Sequence, residues 1–173
     1  MADVPDQLVL KVARDREGRR DVLFRRIAFS AILVLLVLGL LNLFGQRPQT
    51  AAVEHPAATL ELTAPKRVRG GVIYEARFRI AASRELKQAT LVLDPGWIEG
   101  TTINTVEPSP IGEGSRDGDL VFELGRVPQG EQYVLYLQLQ VNPTNVGKRS
   151  HDVRLYDGDE LLASLDRTQF VFP

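Results

Sequence analysis

Ile27 to Phe44, IAFSAILVLLVLGLLNLF, is a run of eighteen residues without a formal charge. As a helix it rises ~27 Å, close to the ~30 Å hydrocarbon core of a bilayer. Arg25-Arg26 precede it and Gln46-Arg47-Pro48 follow it. Three readings compete: a retained transmembrane helix, a cleaved secretory signal, and a buried core helix. A signal peptide has a shorter apolar region near the chain start. Here the basic flank lies 26 residues in, although Thr50-Ala51-Ala52 resembles a poor cleavage site. A core helix needs amphipathic partners, and the rest of the chain reads as strands. The retained span is the reading adopted.

Orientation follows from the distribution of basic residues. Lys11, Arg14, Arg16, Arg19, Arg20, Arg25 and Arg26 lie in the twenty residues before the run, and only Arg47 in the twenty after it. The positive-inside bias then puts the N-terminus in the cytoplasm and the C-terminal region outside, with Arg19, Arg20, Arg25 and Arg26 as the nearest topology determinants. The run holds no ionisable group, so by itself it offers no ion or proton path. The expected organisation is a basic head (1–26), a transmembrane helix (27–44), a Pro/Ala-rich spacer (45–58) and one outer domain (59–173). The head reads as a short helix starting after Asp6 and interrupted by Gly18. It either touches anionic lipid or docks a partner through Leu8, Leu10, Val12, Leu23 and Phe24.

Beyond the spacer the period is two. Tyr74, Ala76, Phe78 and Ile80 alternate with Glu75, Arg77 and Arg79. Leu135, Leu137, Leu139 and Val141 alternate with Tyr136, Gln138 and Gln140, and Leu120, Phe122 and Leu124 with Val121 and Glu123. Further strands are predicted at 59–64, 86–93, 150–157 and 160–172, and a weaker one at 101–106. Turn signals such as Asp94-Pro95-Gly96, Asp117-Gly118, Pro128-Gln129-Gly130 and Asp157-Gly158 separate them. Seven or eight short strands with such punctuation predict a mainly β fold, an antiparallel immunoglobulin-like β-sandwich.

The stretch Leu124-Gly125-Arg126-Val127-Pro128-Gln129-Gly130-Glu131, followed by an alternating strand, Gly147, and Val153-Arg154-Leu155-Tyr156-Asp157-Gly158, resembles bacterial immunoglobulin-like conserved-repeat and cell-adhesion-related domains of envelope proteins. The resemblance covers residues 119–172. It implies a sandwich in an extracytoplasmic setting, used as a spacer or interaction module, and it carries no catalytic residues. The segment 94–118 is longer than the usual inter-strand loop there, and the domain occurs once, which argues against a tandem stalk.

Chemistry-bearing residues are sparse. The chain has no cysteine, which removes disulfides, thiolate metal sites and a Cys nucleophile. His55 lies in the spacer. His151 opens a predicted strand beside Asp152, where it is an ordinary strand-end residue or, in the sharper reading, a ligand or base. Neither GxSxG, HExxH nor a phosphate-binding glycine fingerprint occurs. Asp117-Gly118-Asp119 and Asp157-Gly158-Asp159 read as hairpin turns, with clustered carboxylates for calcium as the competing reading. No cofactor or metal is expected. The net charge of −1 and the absence of a basic cluster argue against nucleic acid. Lys occurs only at positions 11, 66, 87 and 148, an Arg bias that points to a GC-rich bacterial genome.

The segment Asp94–Gly118 is the most promising functional surface. It holds the sole Trp, Trp97, with Ile98, Glu99, Asn104, Glu107, Pro108 and Pro110 as candidate contacts; long loops and Trp are both enriched at binding sites. The competing reading has Trp97 fold back to seal the sandwich with Ile98 and Ile103. The leading functional expectation is a non-enzymatic, single-pass protein of a bacterial cell envelope, tethered in the bilayer and binding another membrane or envelope protein. The alternative is a carbohydrate- or polymer-binding module that uses the 94–118 loop, with Trp97 as a stacking platform. A third reading, a hydrolase or metal enzyme, requires His151 to meet two carboxylates in a pocket.

Overall fold

The computed structural model describes residues 7–41 and 46–173, with side chains described for 18, 20–41 and 46–173. It divides into two units, Met1–Phe44 and Gly45–Pro173. The first is one helix, α1 (Gln7–Leu40). Gly18 does not interrupt it, a correction to the sequence expectation. A helical Gly costs about 1 kcal/mol relative to Ala, and the helix formers around it, Arg14, Arg16, Glu17, Arg19 and Arg20, outweigh one such penalty. Arg20–Leu40 has a mean hydropathy of 2.2, and none of it is buried. It is long and apolar enough to cross a membrane.

The second unit is mainly β, a sandwich of two five-stranded antiparallel sheets with a small third sheet at one end. The first sheet orders β1 (Pro48–Glu54), β2 (Ala58–Pro65), β4 (Ile73–Ala82), β9 (Gln132–Val141) and β6 (Thr101–Glu107). The second orders β12 (Glu160–Leu165), β11 (Val153–Asp157), β5 (Leu86–Leu93), β8 (Asp119–Val127) and β7 (Gly112–Arg116). The third holds β10 (Gly147–Ser150), β13 (Thr168–Phe172) and β3 (Arg67–Arg69), in which β13 and β3 run parallel.

The alternation read in the sequence is the alternation of burial. Leu60, Leu62, Phe78, Ile80, Leu135, Leu137 and Leu139 point inward from the first sheet, and Leu91, Leu93, Phe122, Val153 and Leu155 from the second. Side chains of period two on two facing sheets make one contiguous core.

Two segments not expected to pair are strands, one in the spacer and one late in the 94–118 insert. Pro48–Glu54, placed by sequence in the spacer, pairs along its whole length with β2, from Pro48↔Pro65 to Glu54↔Thr59. Its side chains are small or polar, so no period-2 apolar signal stands out; only Ala51 and Val53 pack on the core. The insert 94–118 folds into a single-turn 3-10 helix (Pro95–Trp97), β6, which matches the weaker strand expected at 101–106, and the unexpected strand β7. β6 closes the edge of the first sheet and β7 that of the second, so this segment crosses from one sheet to the other. Gly-rich β7 hides its pairing from a reading based on hydrophobicity.

Both Asp-Gly triplets are hairpin turns. Asp117 (φ 54) and Gly118 (φ 90) take the left-handed conformations of a two-residue turn between β7 and β8. Asp157 pairs with Glu160 across the second turn, and its Oδ1 accepts hydrogen bonds from the Lys87 and Gln88 amides, each at 2.8 Å, where the β5 ladder is irregular.

Candidate interaction surface

Asp94-Pro95-Gly96-Trp97 turns the chain inward after β5. The Trp97 Nε1–H donates to the Asp152 carbonyl (3.2 Å), and the indole is fully buried between Phe78, at 5.4 Å between ring centroids, and His151, at 4.1 Å. Gly96 makes this approach feasible: a Cβ there would lie 1.9 Å from the Ser150 carbonyl oxygen. Trp97 is therefore a seal of the core. Of the two readings of Trp97 this is the one in which it folds back to seal the sandwich, and it removes the stacking platform on which the carbohydrate-binding alternative relied.

The other candidates do not gather around it. Ile98 (40% exposed) and Glu99 follow the short helix, where the Asn145 amide holds the Glu99 and Gly100 carbonyls at 3.2 Å each. Asn104 is exposed on the edge strand β6, at the point where its register with β9 shifts. Glu107 and Pro108, joined by a cis peptide bond, and Pro110 lie at the end of β6 and in the turn to β7. Of the topology determinants, Arg20, Arg25 and Arg26 are exposed on α1, and the Arg19 side chain lies outside the described residues.

His151 is 1% exposed, and neither ring nitrogen has a hydrogen-bond partner of good geometry. Burial, reinforced by the positive charge of Arg167, pushes its pKa down to about 3. The neighbouring Asp152 carboxylate accepts from the Arg167 amide (2.8 Å). Arg167 is itself buried; its guanidinium donates to the Ala64 carbonyl, while Gln169 donates to that of Pro65 (3.1 Å). Tyr74 shares this buried layer, and desolvation raises its phenol to about 12. A neutral imidazole stacked on an indole inside the core is shielded from solvent. Among the described residues, no three His, Asp or Glu side chains converge as metal ligands.

A concavity lies on the outer face of the second sheet, a groove of about 480 Å³. Strand register builds its floor. Arg154, Val92, Val121 and Gly114 form one cross-strand row, and Tyr156, Thr90, Glu123 and Gly112 the next. Gly112 and Gly114 leave the edge strand without side chains, so the floor runs out over bare backbone. A Cβ at Gly112 would meet Glu123 Oε2 at 2.6 Å, whereas one at Gly114 would meet nothing within 4 Å. Asp117, Asp119, Asp159 and Arg116 form the rim, and Arg154 is held to Asp119 at 2.5 Å. The result is a short apolar strip, Val92, Val121 and Tyr156, set among charges of both signs.

Sequence reasoning pointed to part of this face, since 114–117 fall in the 94–118 segment, but it missed Val92, Val121, Arg154 and Tyr156. The available signal was apolar residues on both phases of two strands, Leu91-Val92-Leu93 and Leu120-Val121-Phe122.

No family model matches the chain, and no curated protein matches it. Similar solved structures include a non-cellulosomal cohesin from the archaeon Archaeoglobus fulgidus, 12% identical with a TM-score of 0.43, covering 72% of this chain and 92% of that one. A type I cohesin from a Clostridium thermocellum cohesin–dockerin complex is 12% identical with a TM-score of 0.39, over 61% and 89%. A FixG-related protein from Vibrio parahaemolyticus is 14% identical with a TM-score of 0.32, over 58% and 80%. Similarities of this size say nothing of function.

Proposed function

We propose that this chain is a single-pass bacterial membrane protein whose outer β-sandwich is a non-catalytic module that binds another membrane or envelope protein. The observation that carries the reading is the apolar stretch of α1. Its Leu, Ile, Val and Phe side chains are bare, while the sandwich completes its core from its own strands. Apolar surface of that extent is covered by lipid in a stable protein. The basic residues before it orient the head toward the cytoplasm. Confinement to the bilayer raises the effective concentration of the sandwich near other membrane components, so a weak contact suffices for association.

The groove over β11, β5, β8 and β7 is the contact surface. An apolar strip inside a rim of mixed charge matches the anatomy of protein interfaces, in which a small apolar centre supplies affinity and charged margins supply selectivity. The test is a mild-detergent pull-down of the full-length chain from its host, followed by identification of the co-purified protein. Tyr156→Ala and Val121→Lys, both on the outer face, are expected to lose the partner while the protein stays folded. Retention of the same partner by both variants contradicts the assignment of the groove. Protease added to intact cells tests the topology: the sandwich is expected to be accessible and the head protected.

A further inference from the structure

The small third sheet presents a face that the groove does not use. Cross-strand register places Lys148, Phe170 and Arg67 in one row, with Phe172 and Arg69 beside each other in the next. Lys148, Arg67 and Arg69 are exposed. Phe170 and Phe172 are half-buried and meet edge-on with ring centroids 4.5 Å apart. Val146, 47% exposed, precedes β10. The opposite phase, Val68, Gln169 and Val171, is buried. The three strands contain no Asp or Glu, although residues 57–173 as a whole carry sixteen acids against thirteen bases. Among the described residues Lys66, Arg67, Arg69 and Lys148 take part in no ion pair; the four ion pairs all lie elsewhere. Positive charge is thus gathered on one basic, aromatic face of an otherwise acidic domain.

The position of this face in the chain selects its occupant. β1 begins at Pro48, which pairs with Pro65, and Lys66 and β3 follow Pro65 directly. The chain therefore enters the sandwich at the end that carries the basic face. Only Gly45, Gln46 and Arg47 separate β1 from the apolar run, a reach of roughly 14 Å at full extension.

We propose that the Arg67, Arg69, Lys148, Phe170 and Phe172 face docks on the anionic phospholipid headgroups of the membrane in which the chain's own helix is anchored. Guanidinium and ammonium groups pair with lipid phosphates, and the two phenyl rings settle at the headgroup boundary. This inference rests on the anchored reading above and adds to it a defined resting face for the sandwich.

The absence of cysteine permits a clean test. Full-length Thr168→Cys carries a fluorophore on this face, and Gln129→Cys carries one on the turn at the far end of the sandwich. Each is reconstituted into vesicles of phosphatidylcholine alone or with phosphatidylglycerol, doped with headgroup-nitroxide lipid. Quenching at position 168 is expected to rise about threefold with phosphatidylglycerol and to fall back at about 0.5 M salt. It is also expected to be lost in Arg67→Ser/Arg69→Ser/Lys148→Ser, with position 129 unaffected throughout. Buried Trp97 emission reports that the variant is folded.

Equal quenching in both lipids and in the variant overturns the proposal, because the tether alone then explains proximity. So does a lack of quenching in phosphatidylglycerol vesicles, including the case in which soluble polyphosphate perturbs the label and reveals a polymer site. Vesicle flotation separates the two levels: a chain that floats but fails these tests loses only the docking face, and one that does not float loses the anchor as well.

Discussion

The imidazole of His151 lies on the indole of Trp97, with centroids 4.1 Å apart and planes inclined by 29°. The contact joins the turn that follows β5 to the link between β10 and β11, and burial there, with the charge of Arg167 beside it, sets the protonation state of the imidazole. His151 is neutral in the fold, with a pKa pushed to about 3 from an ordinary 6.5. The unfolded chain binds this proton more readily, so folding stability is complete above pH 6.5 and declines as pH falls toward 3. The slope is about 1.4 kcal/mol per pH unit from this group alone. The urea midpoint of the wild type is expected to drop between pH 7 and pH 4.5. His151→Phe, which keeps an aromatic ring against Trp97, should show a shallower decline over the same interval.

Trp97 carries a large share of the core at this end of the sandwich. Trp97→Ala is expected to cost about 3–5 kcal/mol in chemical unfolding, and Trp97→Phe less. Because Trp97 is the sole tryptophan, its emission in the native protein should be blue-shifted and resistant to iodide, moving to the red only on unfolding. A red, quenchable emission under native conditions contradicts the burial.

Two glycines give opposite outcomes for one substitution. Gly96→Ala drives a methyl to 1.9 Å from a backbone oxygen that cannot step aside, and a loss of roughly 3 kcal/mol or more in thermal or urea unfolding is expected. Gly114→Ala adds its methyl to open space in the groove, so stability should stay within about 0.5 kcal/mol. Its effect should fall on partner capture instead.

The strand hidden in the expected spacer sets where a soluble domain begins. A chain from Gln46 retains β1, whereas a chain from Thr59, the boundary read from sequence, exposes the β2 edge and uncovers the sites packed by Ala51 and Val53. The shorter form is expected to be less stable by roughly 3 kcal/mol or more and to aggregate through its unpaired edge. Denaturant curves and light scattering on the two forms decide this.

The fold class was legible wherever burial alternates with strong apolar residues. Phe78, Ile80, Leu135 and Leu137 announce their strands, and the Asp-Gly pairs announce their turns. The strands that escaped are those whose stability comes from ladder hydrogen bonds and position. β1 offers Ala51 and Val53, and β7 alternates Gly with polar residues. The run predicted at 160–172 divides at Asp166-Arg167, because Arg167 is drawn inside to the Ala64 carbonyl, a tertiary demand that no local pattern encodes. The candidate surface was half legible for a related reason. An isolated Trp is equally consistent with a binding anchor and a core plug, and the choice is made by Gly96, whose closeness to Ser150 depends on a residue over fifty positions away.

The way β1 joins the first sheet has a mechanical consequence. Tension transmitted from the proposed anchor enters the sandwich at Pro48, the first residue of β1. Directed along β1, that tension loads the seven β1–β2 pairs in shear, so they share it; directed across the strand, it opens them one after another. Shear is the mode a sheet resists far better, so the proposed tether would hold the domain intact longest when it draws along the axis of its first strand.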